Sequence, residues 1–105
     1  MHDIDADETT TQHRMVVPPS IPMVSVLGSA DRLLRVVEDE LADVDVHVRG
    51  NEVTVRGDPD DVLLAEKLLD EMVAVVRTGQ GLTEDAVRRS AQMLRARADE
   101  RPADV

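Results

Sequence analysis

The sequence predicts a small α+β domain, a three-stranded sheet of order 1-3-2 with helices packed on one face. Three observations predict it. Valine alternates with polar residues on both sides of a Gly-Asn pair over residues 44–57, which is the period of a half-buried hairpin. Apolar residues recur at helical spacing before and after that hairpin. The length of 105 residues suits one domain, and the 42% hydrophobic content supplies a core. With no Phe, Tyr or Trp, that core must be built from Val, Leu, Ile, Ala and Met.

Residues 1–16 are polar, acidic and without period, and are expected to form a disordered tail. "VVPPSIP" carries Pro18, Pro19 and Pro22 and should lead stiffly into a domain spanning residues 17–95. "MVSVL", Met23–Leu27, is short and apolar and is expected as the first strand. Gly28 and Ser29 break it. From Ala30 the spacing becomes helical through Leu33, Leu34, Val37 and Leu41, with Ser29 as the expected N-cap and Asp31 in the first turn.

In the hairpin, the loop Gly50-Asn51 sets Val48 opposite Val53 and Val46 opposite Val55. The same register sets Arg49 opposite Glu52, His47 opposite Thr54 and Asp45 opposite Arg56. All valines then share one face, and a slip of one residue would destroy that arrangement. "DPDD" opens the next helix, with Asp58 as N-cap and Pro59 in the first turn. Its stripe of Val62, Ala65, Leu69, Met72, Val73 and Val76 is widened by Leu64, Leu68 and Val75, enough to touch both a sheet and another helix. Gly79 is the expected stop. Thr83 caps a third helix whose apolar stripe is Val87, Ala91 and Leu94, and residues 96–105 should fray. The expected order is therefore β-α-β-β-α-α, with the first strand pairing to the second hairpin strand.

Composition excludes several classes. The chain has no Cys, so disulfides, thiolate metal sites and cysteine nucleophiles are ruled out. No apolar run reaches the roughly 18 residues of a membrane span, the N-terminus is acidic where a targeting peptide would be basic, and the chain reads as soluble and cytoplasmic. The formal net charge of −10 repels polyanions overall. Its distribution is uneven, however. Arg49 and Arg56 balance Asp45 and Glu52 in the hairpin, and the last third holds six of the eleven arginines. Any anion contact should come from those two regions.

No chemistry-bearing motif is complete. The sole lysine, Lys67, lies inside a helix with no glycine beside it, so no P-loop exists in this chain. Gly28 is a lone glycine, and the turn it opens reads as a capped connection rather than a phosphate cradle. "HDIDADE" fails as a calcium loop, because the sixth position from Asp3 is Glu8 and the twelfth is Arg14. The histidines are scattered, which argues against zinc. No nucleophile stands beside a base. The expectation is no catalytic residue, no nucleotide-binding residue, no metal and no cofactor in this chain. The candidate anion or RNA contacts are His47, Arg49 and Arg56 on the hairpin and Arg88 and Arg89 on the last helix. Cross-strand ion pairing is the simpler expectation for the hairpin arginines, and no aromatic residue is present to stack a base. The apolar excess of Leu68, Met72 and Val75 is the candidate partner interface.

The run "VSVLGSADRLLRVVEDEL", the hairpin with Arg49-Gly50, Glu52, Val55 and Gly57, the acid-rich helix start after it and the join "RTGQGLTEDAV" together resemble the N-terminal region of PhoH-like proteins, over about Val17–Leu94. The resemblance implies a cytoplasmic ATPase linked to RNA metabolism and phosphate starvation, in which this region precedes a P-loop NTPase domain that binds ATP and Mg. None of those nucleotide-binding residues maps onto this chain, so the resemblance implies an accessory domain and expects a Gly-Lys-Thr or Gly-Lys-Ser loop beyond Val105. The order of helix, strand pair and closing helix also resembles a KH-type RNA module, whose GxxG loop between two helices grips the nucleic-acid backbone. With Met23–Leu27 taken as a strand, the first helix and that loop are expected to be absent. The resulting expectation is a non-catalytic, KH-like accessory domain acting in docking, homo-oligomer assembly or weak RNA guidance for its NTPase domain, with no membrane partner. The alternative is a stand-alone, degenerate KH-type module that binds RNA through the hairpin face.

Overall fold

The computed structural model describes residues 10–100. Along the chain come β1 (Thr11–Val16), α1 (Met23–Leu27), a 3-10 turn (Ser29–Asp31), α2 (Arg32–Glu40), β2 (Val44–Arg49), β3 (Glu52–Gly57), α3 (Pro59–Arg77) and α4 (Glu84–Glu100). The strands form one antiparallel sheet in the order β1-β3-β2 with the helices on one side, the expected α+β class and strand order.

The hairpin register is the expected one at every position, from Asp45 opposite Arg56 to Arg49 opposite Glu52. Gly50 sits at φ 61°, the left-handed conformation that a two-residue connection needs and glycine adopts without a Cβ clash. Val53 and Val55 are fully buried in the central strand, with Val44 and Val46 beside them.

The first strand is not where the spacing put it. Met23–Leu27 is a helix, and the strand is Thr11–Val16, within the segment expected to be disordered. Residues 1–9 of that expected tail lie outside the described residues. A five-residue apolar run cannot be assigned by period alone. Here Pro22 precedes the helix, the Ser25 N–H donates to the Pro22 carbonyl and the Gly28 N–H to the Val24 carbonyl. Met23, Val26 and Leu27 then turn inward at helical spacing while Val24 stays exposed. β1 alternates as well, with Met15 and His13 half-buried between exposed Gln12, Arg14 and Val16. Its inward residues are too polar to signal a strand, since His13 is held by Glu66 of α3 at 3.4 Å. β1 then leads into Val17, almost fully buried, whose N–H donates to the Asn51 carbonyl and whose carbonyl accepts from Asn51 Nδ2.

Capping follows sequence chemistry at α3 and α4. The Asp58 carboxylate accepts from the Asp60 and Asp61 N–H groups, with Pro59 next to it in the first turn. At the far end Gln80 N–H donates to the Val75 carbonyl and Gly79 N–H to that of Val76, the paired bonds of a Schellman stop, with Gly79 at φ 89°. Thr83 Oγ1 accepts from the Ala86 N–H at 3.1 Å. By contrast, α2 starts at Arg32 without a side-chain cap, so Ser29 does not cap it. α4 buries Val87, Ala91 and Leu94 and stays helical to Glu100, past the expected fraying point at residue 96; residues 101–105 lie outside the described residues.

The passage from β3 to α3 is tight. A Cβ on Gly57 would sit inside the van der Waals radius of the Asp43 carbonyl oxygen, so backbone must give way there. Gly57→Ala should lower the urea-unfolding free energy by about 3 kcal/mol, combining overpacking with backbone strain. Gly79→Ala meets nothing within 4 Å and should cost only the strain of its positive φ, about 1 kcal/mol. Urea melts of the two variants read the difference.

Candidate nucleic-acid interface

The outward face of the sheet gathers arginines from all three strands on a rigid scaffold. The two registers align Gln12, Arg56 and Asp45 in one row, Arg14, Thr54 and His47 in the next, and Val16, Glu52 and Arg49 in the third. His47, Arg49 and Arg56 are all exposed. Cross-strand neighbours were expected to neutralise these arginines. Instead Glu52 turns to Arg14 on the other side, at 3.5 Å. Among the described residues no carboxylate lies within ion-pair distance of Arg49 or Arg56. Glu52 is reached from both flanking strands, and the arginine on β1 takes it. Arg14 was missed because its segment was not recognised as a strand.

Arg88 and Arg89 are not part of this face. They stand on α4, in the helical layer on the opposite side of the sheet. Arg88 is engaged by Glu40 at 3.4 Å and by Asp85 at 3.8 Å, which ties α4 to α2. Arg89 is exposed beside it. The candidate partner interface also changes. Leu68 and Met72 are buried in the core, between the sheet and α4, and Val75 is half-buried. The broad stripe of α3 is consumed within the domain, because one helix must cover both a sheet and a second helix.

Between α1 and α2 runs the turn Gly28-Ser29-Ala30-Asp31. Gly28 has φ 81°, and Ala30 and Asp31 also have positive φ, 55° and 60°. A Cβ at Gly28 would approach Leu33 Cγ to 2.8 Å. A helix, a four-residue turn and a second helix therefore stand where a strand, a turn and one helix were expected: the helix expected to be absent is present at Met23–Leu27, while the turn after it holds a single glycine. Its surroundings are not cationic: Arg32 is paired with Glu84 at 3.6 Å, and Asp31 and Asp85 are exposed nearby.

On the far side, α3 and α4 enclose a groove lined by Asp43, Asp58, Asp60, Asp61, Asp70 and Asp99, against Lys67, Arg95 and Arg97. Partial burial raises the Asp61 pKa above 3.8, opposed by Arg95 and reinforced by Asp58, Asp43 and Asp60. Among the described residues no group of three His, Cys, Asp or Glu side chains is placed to hold a metal, and no helix is long and apolar enough to cross a membrane.

The sign of the Asp61 effect is fixed. Its folded pKa exceeds the unfolded value, so the native state takes up the proton first and stability rises as pH falls through that folded pKa toward 3.8. Asp61→Asn should therefore raise the urea midpoint at pH 7, and the gain should shrink as the pH is lowered to about 4. An equal gain at both pH values would assign it to something other than ionisation.

No protein-family profile matches the chain. Sequence relatives are clear, however. A PhoH-like protein of Mycobacterium tuberculosis is 49% identical over 89 residues, covering 85% of this chain and 25% of that protein. The PhoH-like protein of Mycobacterium leprae is 43% identical over 104 residues, covering 97% of this chain and 29% of the relative. Among solved structures, a protein of unknown function from Aeropyrum pernix superposes with a TM-score of 0.68 at 15% identity, covering 89% of this chain and 50% of that one. Dim2p from Pyrococcus horikoshii gives 0.62 at 18% identity, covering 82% and 50%. At such identities the likeness is one of fold. The chain is homologous to a segment of the PhoH-like proteins that spans about a quarter of their length.

Proposed function

We propose that this chain is a non-catalytic, KH-like accessory domain of a PhoH-like protein, acting in docking, assembly or weak RNA guidance beside a P-loop NTPase domain that binds ATP and Mg. The observation that carries this reading is the near-half identity confined to a quarter of the relatives' length. A segment of that size with its own sheet, caps and core is a domain serving a larger protein. The KH-like part of the reading is supported by the architecture. A strand, a helix, the turn Gly28–Asp31, a helix, two strands and a closing helix follow in the order of a KH module, whose GxxG loop clamps nucleic-acid backbone. Here Asp31 stands at the position of the second glycine. Its carboxylate, with Glu84 engaging Arg32, repels phosphate from the turn.

A second reading, direct RNA binding by the domain in its own right, rests on one observation: Arg49 and Arg56 stand exposed on the sheet face without ion-pair partners among the described residues. Two arginines without aromatic neighbours make a weak, sequence-independent contact, dominated by counterion release. Weak guidance of RNA along the sheet face, with the turn between α1 and α2 contributing little, fits both readings.

The experiment is an anisotropy titration of a labelled single-stranded RNA with the chain at two salt concentrations. Binding should be weak and salt-sensitive. Changing both Arg49 and Arg56 to Glu should flatten the log–log salt slope by about 1.4, at ~0.7 per lost phosphate contact. Unchanged RNA binding in the double variant would remove the sheet face from RNA guidance and leave docking and assembly as the domain's role.

A further inference from the structure

Among the described residues, β2 stands at one end of the strand order. The two-residue loop makes Arg49 and Glu52 a hydrogen-bonded pair, so Asp45, His47 and Arg49 bond inward to β3. The main-chain groups of Val44, Val46 and Val48 therefore point away from the sheet. Such a row is a template for another strand. Here its donors are taken up from within the chain. Val46 N–H donates to Glu38 Oε2 of α2 at 3.3 Å. Val44 N–H donates to the Leu41 carbonyl at 3.1 Å, which ends any ladder at that point. The Glu38 bond is the one that a side-chain movement could release, since the Leu41 bond belongs to the main chain entering β2.

We propose that Glu38 is a latch on a self-pairing edge: its bond to Val46 keeps β2 closed, and its withdrawal lets β2 pair antiparallel with β2 of a second copy, in a register centred on His47. The edge is complementary to itself in that register. Val46 stands opposite Val48 of the second copy, and both residues carry outward main-chain groups, so the bonding phase is correct. Asp45 stands opposite Arg49 of the second copy, and Arg49 opposite its Asp45. All four of these side chains are on the exposed face, and opposite charges directly across a strand pair are favourable. The valines of both copies fall on the face that each sheet already buries. Centring on Val46 instead would need the Val44 donor that Leu41 holds, and centring on Val48 would set Arg49 against His47. The two-fold pairing is isologous and closes at a dimer. Glu38 holds the Val46 donor of each copy, which is half of the N–H groups this pairing uses. Pairing would also spend Arg49 on an aspartate, so assembly and phosphate contact by Arg49 are alternatives. The inference rests on the assembly part of the reading above for its use. Its test needs neither RNA nor an NTPase domain, so the two fail separately.

Sedimentation equilibrium on the full 105-residue chain tests this. Glu38→Ala removes the acceptor and should dimerise at least about tenfold more tightly than the parent, through the two donors freed per dimer. Glu38→Lys removes the acceptor as well and should behave alike, which keeps the test if the Ala variant fails to fold. Glu38→Gln keeps an acceptor oxygen on the same side chain and should stay with the parent. Adding Asp45→Arg to Glu38→Ala sets like charges across the pair and should undo the gain; adding Arg49→Asp as well should restore it. The Val48 N–H of Glu38→Ala should gain protection from hydrogen exchange as concentration rises. Folded acceptor-free variants that associate no more than the parent would overturn the proposal. So would equal association of the Ala and Gln variants, which would assign the effect to charge. Association that Asp45→Arg leaves unchanged would place the contact on another surface and overturn it too.

Discussion

The central strand β3 is bonded on both sides, and its Val53 and Val55 are fully buried under the helical layer. Because side chains alternate along a strand, shifting β3 by one residue would bring Glu52, Thr54 and Arg56 into the core and expel the valines. Neither partner can then slip independently. β2 is fixed to β3 by the two-residue loop, and β1 is fixed by the Asn51 side chain and main chain, which hold Val17. The loop residue Asn51 therefore serves two strands at once. α3 leaves β3 through Gly57, where the backbone passes too close to Asp43 for any side chain. The placement of the longest helix, and with it most of the aliphatic core, follows from the register of that one strand.

The same register decides where charge can act. A strongly acidic chain has an electrostatically mixed sheet face, because the rows set three arginines and a histidine among two acids. Which arginines stay available is a matter of local competition. Glu52 has arginine neighbours on both flanks and engages Arg14, so Arg49 has no carboxylate partner among the described residues. Arginines on α4 have acids of their own element and of α2 within reach, and Arg88 is spent on holding two helices together. Between α3 and α4 the consequence is the opposite: partial burial, reinforced by the neighbouring acids Asp58, Asp43 and Asp60 against Arg95, makes Asp61 hold its proton more tightly than an exposed carboxyl would.

Much of the fold was legible in the residues. Alternating valines, a Gly-Asn loop, the Asp58-Pro59 start, the Gly79 stop and the Thr83 cap are short-range signals with short-range causes, and each element they mark forms as read. The hairpin candidates His47, Arg49 and Arg56 are exposed as read, but their ion pairing was not, since it depends on a third strand. Leu68 and Met72 looked like surplus apolar surface because a helix read alone does not show how many neighbours it must cover. Met23–Leu27 was misread because a five-residue apolar run fits either period, and Thr11–Val16 was overlooked because its inward His13 is made tolerable only by Glu66, 53 positions further along the chain.

By itself, the sequence determined the α+β class, the hairpin register, three helix boundaries with their caps, the exclusion of cysteine chemistry and the likeness to PhoH-like proteins. Those features are set by interactions among residues a few positions apart, or by composition. Only the tertiary structure decided which segment became the first strand, that two helices flank the turn at Gly28, which arginines keep company with acids, and that Glu38 of α2 takes up an outward N–H of β2. Each of these depends on groups brought together from distant positions, whose competition for a shared partner or a shared surface is resolved only when the layers pack.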